Sequence, residues 1–201
     1  MSFFENTRKP VGFGGKLMVA IMNVGHSAVA RWGLQFLNAA PDAKVLDCGC
    51  GGGANIKRLL KKCPQGIVKG IDYSPVSVEK SKKVNEVAVT KGRCDVLCAS
   101  VAELPFESEQ FDAVTAFETV YFWPDLPQCF REVYWVLKPG GTFLICNESN
   151  GDSDRDEKWT EIIGGMTIYK DIELKTYLEQ AGFHEVQIHK KQSWLCVTAR
   201  K

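Results

Sequence analysis

The stretch from Lys44 to Ala54 constrains the fold more than any other part of the chain. It places Val45 and Leu46 before Asp47, then Cys48 and Cys50 interleaved with Gly49, Gly51, Gly52 and Gly53. Two apolar β-formers read as a short buried strand, and the glycines permit a tight turn with positive φ and a backbone that a ligand can approach closely. Asn55 to Leu60 then reads as a helix. The turn therefore presents free backbone N–H groups at a helix N-terminus, at the carboxyl edge of a first strand. Open α/β sheets bind nucleotide-like ligands at that place.

Two cofactor classes compete for such a turn, because Gly49, Gly51 and Ala54 also satisfy the dinucleotide pattern. Asp47 separates them: a carboxylate aimed at the turn repels a pyrophosphate and suits a ligand with an ammonium group. The order Asp47, Gly49, Gly51, Gly53 resembles motif I of the class I S-adenosylmethionine-dependent methyltransferases. The resemblance covers roughly residues 44–200. It implies an α/β, Rossmann-like, seven-stranded mixed sheet in the order 3-2-1-4-5-7-6, the last strand antiparallel, with helices on both faces. S-adenosylmethionine is the implied cofactor, with Asp47, Gly49, Cys50 and Gly51 around it.

Gly66 to Asp72 reads as a second strand ending in an acid about 20 residues past the turn, where a carboxylate can accept hydrogen bonds from both hydroxyls of a ribose. Asp72 is the ribose candidate, with Tyr73 beside it. Ser74 and Pro75 supply an N-cap and an N1 proline for a helix expected to run to about Val89. A third strand, Asp95–Ala99, leads into Ser100, Val101 and the run Leu104-Pro105-Phe106, which resembles a second family signature. The resemblance implies an adenine contact at Ser100, where the family carries Asp, and at the Val101 backbone. Phe111–Phe117 reads as strand four, and the resemblance places the methionine moiety against Phe117 and Glu118. Lys138 to Gly141 resembles the family's turn before strand five, read as Thr142–Cys146.

Methyl transfer from a sulfonium is an in-line displacement, so alignment in a dry pocket matters most, and a base is needed only if the acceptor must lose a proton. Glu118, His26 and Tyr121 are the catalytic candidates. Glu118 could equally bind the ammonium of the cofactor, and a lone histidine is often structural. Tyr121, Phe122, Trp123 and Trp159 read either as an aromatic wall for the acceptor or as ordinary packing. Residues 1–40 are expected to form an arm and short helices, with Met18, Met22, Asn23 and His26 in a lid over a core of residues 41–201. Asn147 to Lys170 reads as a loop, a short helix and a glycine hinge. A last helix and two antiparallel strands close the chain.

With 201 residues the chain suffices for one sizeable core, and a net charge of +1 offers no basic face for a nucleic acid. A small-molecule acceptor follows by default. No Cys-x-x-Cys pair occurs among the eight cysteines. Cys94, Cys98, Cys146 and Cys196 are expected as small buried hydrophobes in strands, and no metal site is expected. No basic-then-apolar leader or membrane-length apolar run is present, so a cytoplasmic monomer or homodimer is expected, without nucleic-acid or membrane partners. Two other functions stay open: a non-catalytic S-adenosylmethionine-binding protein, and a nicotinamide-dependent oxidoreductase.

Overall fold

A computed structural model of the protein describes residues 25–201. The helical turn carrying Met18, Met22 and Asn23, and the arm before it, lie outside the described residues. The elements alternate in chain order: α1 (Ser27–Gly33), β1 (Lys44–Cys48), α2 (Ala54–Lys62), β2 (Ile67–Asp72), α3 (Pro75–Val84), α4 (Glu86–Thr90), β3 (Cys94–Cys98) and β4 (Phe111–Phe117). A short 3₁₀ turn (Val120–Phe122), α5 (Leu126–Val136), β5 (Leu137–Asn147), α6 (Asp154–Ile162), α7 (Asp171–Gln180), β6 (His184–Lys191) and β7 (Trp194–Arg200) complete the chain.

The described strands form one seven-stranded sheet in the order β3-β2-β1-β4-β5-β7-β6, as the resemblance implies. β1 pairs in parallel with β2 on one side and β4 on the other, and β7 runs antiparallel to β5 and β6. Because β1 lies where the strand order reverses, the loops leaving β1 and β4 open a crevice between them. Period-two alternation assigns successive β1 residues to opposite faces. Val45 packs with Val68, Val96, Ile56 and Leu59 on one side, while Leu46 packs with Val114, Phe130, Val133 and Phe143 on the other. Both faces are thus buried, which is why these strands read as continuous apolar runs.

Three expected boundaries move. The helix expected to reach Val89 breaks at Asn85, whose side-chain amide donates to the carbonyls of Gly53 and Ser81 at 3.0 Å each and so ties the break to the glycine turn. β5 starts at Leu137 rather than Thr142. Its register on β4 shifts between Phe111 and Ala113, so the Pro139-Gly140-Gly141 stretch is carried as a bulge, and Gly140 N–H donates to the Lys201 carbonyl at 2.8 Å. Of the short helices expected within residues 1–40, the second reads from the pattern as Ala28 to Leu37 but spans Ser27–Gly33, and a Cβ at Gly33 would stand 2.4 Å from Cys146 Sγ. Cys98 is also exposed, at the end of β3, whereas the other seven cysteines are buried. Among the described residues no helix is long and apolar enough to cross a membrane.

The larger core is centred on Phe143, stacked parallel to Trp123 at 6.2 Å and met edge-on by Phe130 at 5.5 Å. Phe143→Ala removes that centre. It should cost about 3–5 kcal/mol, read in thermal or urea unfolding as a midpoint lowered by roughly 10 °C.

Candidate active site

The glycine turn is held open by its neighbours. Gly49 and Cys50 both donate to the Ile71 carbonyl at 2.9 Å, which ties the turn to β2. Gly49 has φ +74°, and a Cβ there would stand 2.0 Å from Thr119 Oγ1, so only glycine passes beneath the β4 exit. Gly51, at φ +51°, has nothing within 4 Å of a Cβ position and faces open space.

Asp72 ends β2 with both oxygens engaged: Oδ2 accepts from Gly51 N–H and Oδ1 from Ser74 N–H, each at 2.9 Å. Burial raises its pKa, while those two hydrogen bonds pull the other way. A carboxylate has about four lone-pair directions, so each oxygen keeps acceptor capacity towards the cavity it lines. Tyr73, Ser100 and Val101 stand on the same wall. Ser100 Oγ accepts from Ala102 N–H at 3.2 Å.

Asp47 sits behind the turn and not on the cavity wall. Thr115 Oγ1 donates to its Oδ1 at 2.8 Å, and Oδ2 has no partner among the described residues. Burial pushes its pKa up to about 7, the Thr115 hydroxyl opposes this, and the charge of Asp72 adds to it.

At the end of β4, Phe117 is buried and Glu118 takes a left-handed backbone with φ +58°. That conformation is uncommon for a residue with a Cβ, and the Glu118 N–H donates to the Cys146 carbonyl at 3.0 Å. Glu118 Oε1 accepts the backbone N–H of Glu148, so one carboxylate joins the exits of β4 and β5. Its Oε2 lies 3.8 Å from His26 Nδ1, and Glu148 Oε2 lies 3.4 Å from the same nitrogen. Burial pushes the Glu118 pKa up to about 8; His26 opposes the shift and Glu148 reinforces it. Burial alone would depress His26, but contact with Glu148 and the charge of Glu118 leave its pKa raised. Tyr121 is buried, and its hydroxyl accepts the Ser149 N–H at 3.0 Å, pinning the β5 exit.

All these groups except Asp47 line one cavity of about 780 Å³ that runs from the turn to Trp159 and Met166. The predicted catalytic residues His26, Glu118 and Tyr121 meet on its wall, which Gly49, Cys50, Gly51, Asp72, Tyr73, Ser100 and Val101 also form. The aromatic residues divide: Trp123 belongs largely to the core against Phe130 and Phe143, while Phe122 and the exposed Trp159 face the cavity. Sequence reasoning missed Glu148 and Arg58. Glu148 stands immediately past β5, and the rule that selected the exits of β1, β2 and β4 would have selected it too. Arg58, one turn into α2, reaches Ser27 Oγ at 2.7 Å and Asn55 Oδ1 at 2.8 Å on the cavity wall.

A doubly wound sheet whose carboxyl edge holds a glycine turn, an acid after β2 and one continuous cavity defines a protein that binds a nucleotide-like cofactor. Comparison with known proteins narrows the class. Residues 46–145 match the methyltransferase domain family. A cycloartenol-C-24-methyltransferase of Arabidopsis thaliana is 31% identical over 183 residues, 86% of this chain and 52% of that protein. The chain spans about half the length, or less, of the curated relatives it matches. A SAM-dependent methyltransferase structure from Aquifex aeolicus shares the fold with a TM-score of 0.76 and 19% identity, over 92% of this chain and 97% of that one. A Haemonchus contortus phosphoethanolamine N-methyltransferase, solved with phosphomonomethylethanolamine and S-adenosylhomocysteine, superposes with a TM-score of 0.80 and 15% identity, over 100% of this chain and 61% of that one. The chain belongs to the class I, Rossmann-like S-adenosylmethionine-dependent methyltransferase family.

Two raised acids give the ligand-free protein a pH signature. Asp47 and Glu118 bind protons more tightly folded than unfolded, so the stability they contribute is complete below about pH 4 and is lost as pH rises through about 7 and about 8. The thermal midpoint should fall from pH 5 to pH 9. Asp47→Asn, which keeps an acceptor for Thr115, should raise the midpoint by roughly 5–10 °C at pH 9 and by under about 2 °C at pH 5.

Proposed function

We propose that the protein transfers the methyl group of S-adenosylmethionine to a small-molecule acceptor. The observation that carries this reading is the single cavity joining the glycine turn and Asp72 to the Glu118, His26 and Tyr121 cluster. A cofactor site and an acid–base cluster on one continuous wall are what a two-substrate transfer needs.

The residues present fit this cofactor. Gly51 leaves open space where any side chain would intrude, and Asp72 offers ribose hydroxyls two oxygens already oriented by backbone N–H groups. Behind the turn, the Asp47 carboxyl, whose Oδ2 has no partner among the described residues, supplies in its ionised form negative potential that favours a cationic ligand over a pyrophosphate. S-adenosylmethionine, when bound, supplies an electrophilic methyl group on a sulfonium. The chain's task is then to align the acceptor, exclude water and manage the acceptor's proton. Glu118 stands at the strand exit with one oxygen fixed by Glu148 N–H and the other towards His26, so a proton taken at Oε2 has a neighbouring imidazole. The relatives named as sterol and phosphoethanolamine methyltransferases, and a chain without excess basic charge, support a small acceptor over a nucleic acid.

Calorimetric titration tests the cofactor. Wild type should bind S-adenosylhomocysteine, and Asp72→Ala should weaken that binding by roughly 1–3 kcal/mol. Binding of NAD in its place would overturn the reading.

Turnover tests the acid–base cluster, once S-adenosylhomocysteine release from a metabolite pool has identified an acceptor. Glu118→Gln keeps size and hydrogen-bonding capacity. It should lower turnover roughly 100-fold or more while cofactor affinity stays within a few-fold. If affinity collapses and turnover at saturating cofactor survives, Glu118 is a cofactor ligand instead.

A further inference from the structure

His26, Glu118 and Glu148 are far apart in sequence and reach the cavity from three different places: the start of α1, the exit of β4 and the exit of β5. The fold brings one ligand atom of each within 4.8 Å of the others. The geometry points to a binding site for a divalent first-row metal ion in this cavity, between the start of α1 and the exits of β4 and β5.

The spacing fits a cation better than it fits direct hydrogen bonding. His26 Nδ1 is shielded from solvent and makes no hydrogen bond among the described residues, lying 3.4 Å from Glu148 Oε2 and 3.8 Å from Glu118 Oε2. Ligands about 2.0–2.2 Å from one metal at tetrahedral or octahedral angles stand about 2.8–3.6 Å apart, so a small side-chain movement closes the set. The ligands are also supported from behind. Glu148 N–H holds Glu118 Oε1, leaving Oε2 as a single-atom ligand, and Tyr121 accepts the N–H of Ser149, the residue after Glu148. Outer hydrogen bonds of this kind fix ligand orientation in metal sites.

Ligand chemistry narrows the ion. One imidazole nitrogen and two carboxylate oxygens suit Mn²⁺, Fe²⁺ or Zn²⁺ and exclude ions that demand thiolate. A divalent cation would displace any proton on His26 and neutralise the charge of the two carboxylates that face it. Three protein ligands leave positions free for water and for a substrate atom. Those positions open on the cavity that Phe122 and Trp159 line. The ion would there polarise an oxygen of the acceptor, which makes an oxygen-bearing small molecule the favoured acceptor class. That assignment rests on the methyl-transfer reading, with the ion then taking the place of the proton path from Glu118 Oε2 to His26; binding of the metal does not.

The experiment is a titration of the metal-stripped full chain with Mn²⁺, followed by the electron paramagnetic resonance signal of the free ion, with S-adenosylhomocysteine binding measured in parallel by calorimetry. Wild type should take up one Mn²⁺ per chain. Glu148→Gln and His26→Asn should each weaken uptake at least roughly 10-fold, while Glu107→Gln, an exposed acid elsewhere, leaves it unchanged. S-adenosylhomocysteine binding should stay within a few-fold in the Glu107→Gln control. A wild-type chain that takes up no Mn²⁺, or site variants that bind it like wild type, overturns the metal site. Absent Mn²⁺ uptake with intact S-adenosylhomocysteine binding removes the metal and leaves methyl transfer standing; Mn²⁺ uptake without S-adenosylhomocysteine binding does the reverse.

Discussion

The Asp72 carboxylate, accepting Gly51 N–H on one oxygen and Ser74 N–H on the other, is the contact on which the site's geometry depends. Through it one side chain fixes the glycine turn after β1, the exit of β2 and the start of α3. Hydrogen bonds to an ionised acceptor are stronger than those between neutral groups, and in a buried setting they resist competition from water. The Ile71 carbonyl, shared by Gly49 and Cys50, holds the same turn from below. The N–H groups of Gly49, Cys50 and Gly51 are thus spent within the fold, not left free for a ligand as the glycine pattern suggests.

Two buried acids, one behind the glycine turn and one at the exit of β4, come at a cost. Glu118 and Asp47 are both buried acids, each short of the partners that would favour its charged form, and Glu118 also adopts a backbone that most side chains avoid. Structures tolerate such groups where the surrounding elements over-determine them, and such groups cluster at sites of binding or chemistry. Here the overdetermination is explicit: Glu118 is held through its own N–H by Cys146 and through its carboxylate by Glu148 N–H. Loss of either β5 contact would free the side chain to seek solvent.

Much of this was legible before any coordinates, for local reasons. Val45 to Gly53 and the Ser74-Pro75 start of α3 each carry their own signals, so strand, turn and helix start follow from neighbours in sequence. What escaped depends on partners far along the chain. The break at Asn85 is made by the carbonyl of Gly53, the early start of β5 is tied to Lys201, and Gly33 ends α1 where Cys146 crowds it. Glu148 carries the same signal as Glu118, a carboxylate just past a strand, but only its position beside Glu118 across the sheet shows what it meets. The order of the last strands came from family resemblance, since hairpin alternation alone leaves open which edge β7 joins.

Thr119 links two regions that otherwise have little to do with each other. Its side chain fills the space that a Cβ at Gly49 would need, and its hydroxyl accepts the indole N–H of Trp123 at 3.2 Å. Trp123 is in turn stacked on Phe143 at the centre of the core. The cofactor turn is therefore only one side chain away from a buried fluorophore. A shift of the turn that moved Thr119 would be felt at the indole nitrogen, which places Trp123, one of five tryptophans, where its emission could report on the cofactor turn.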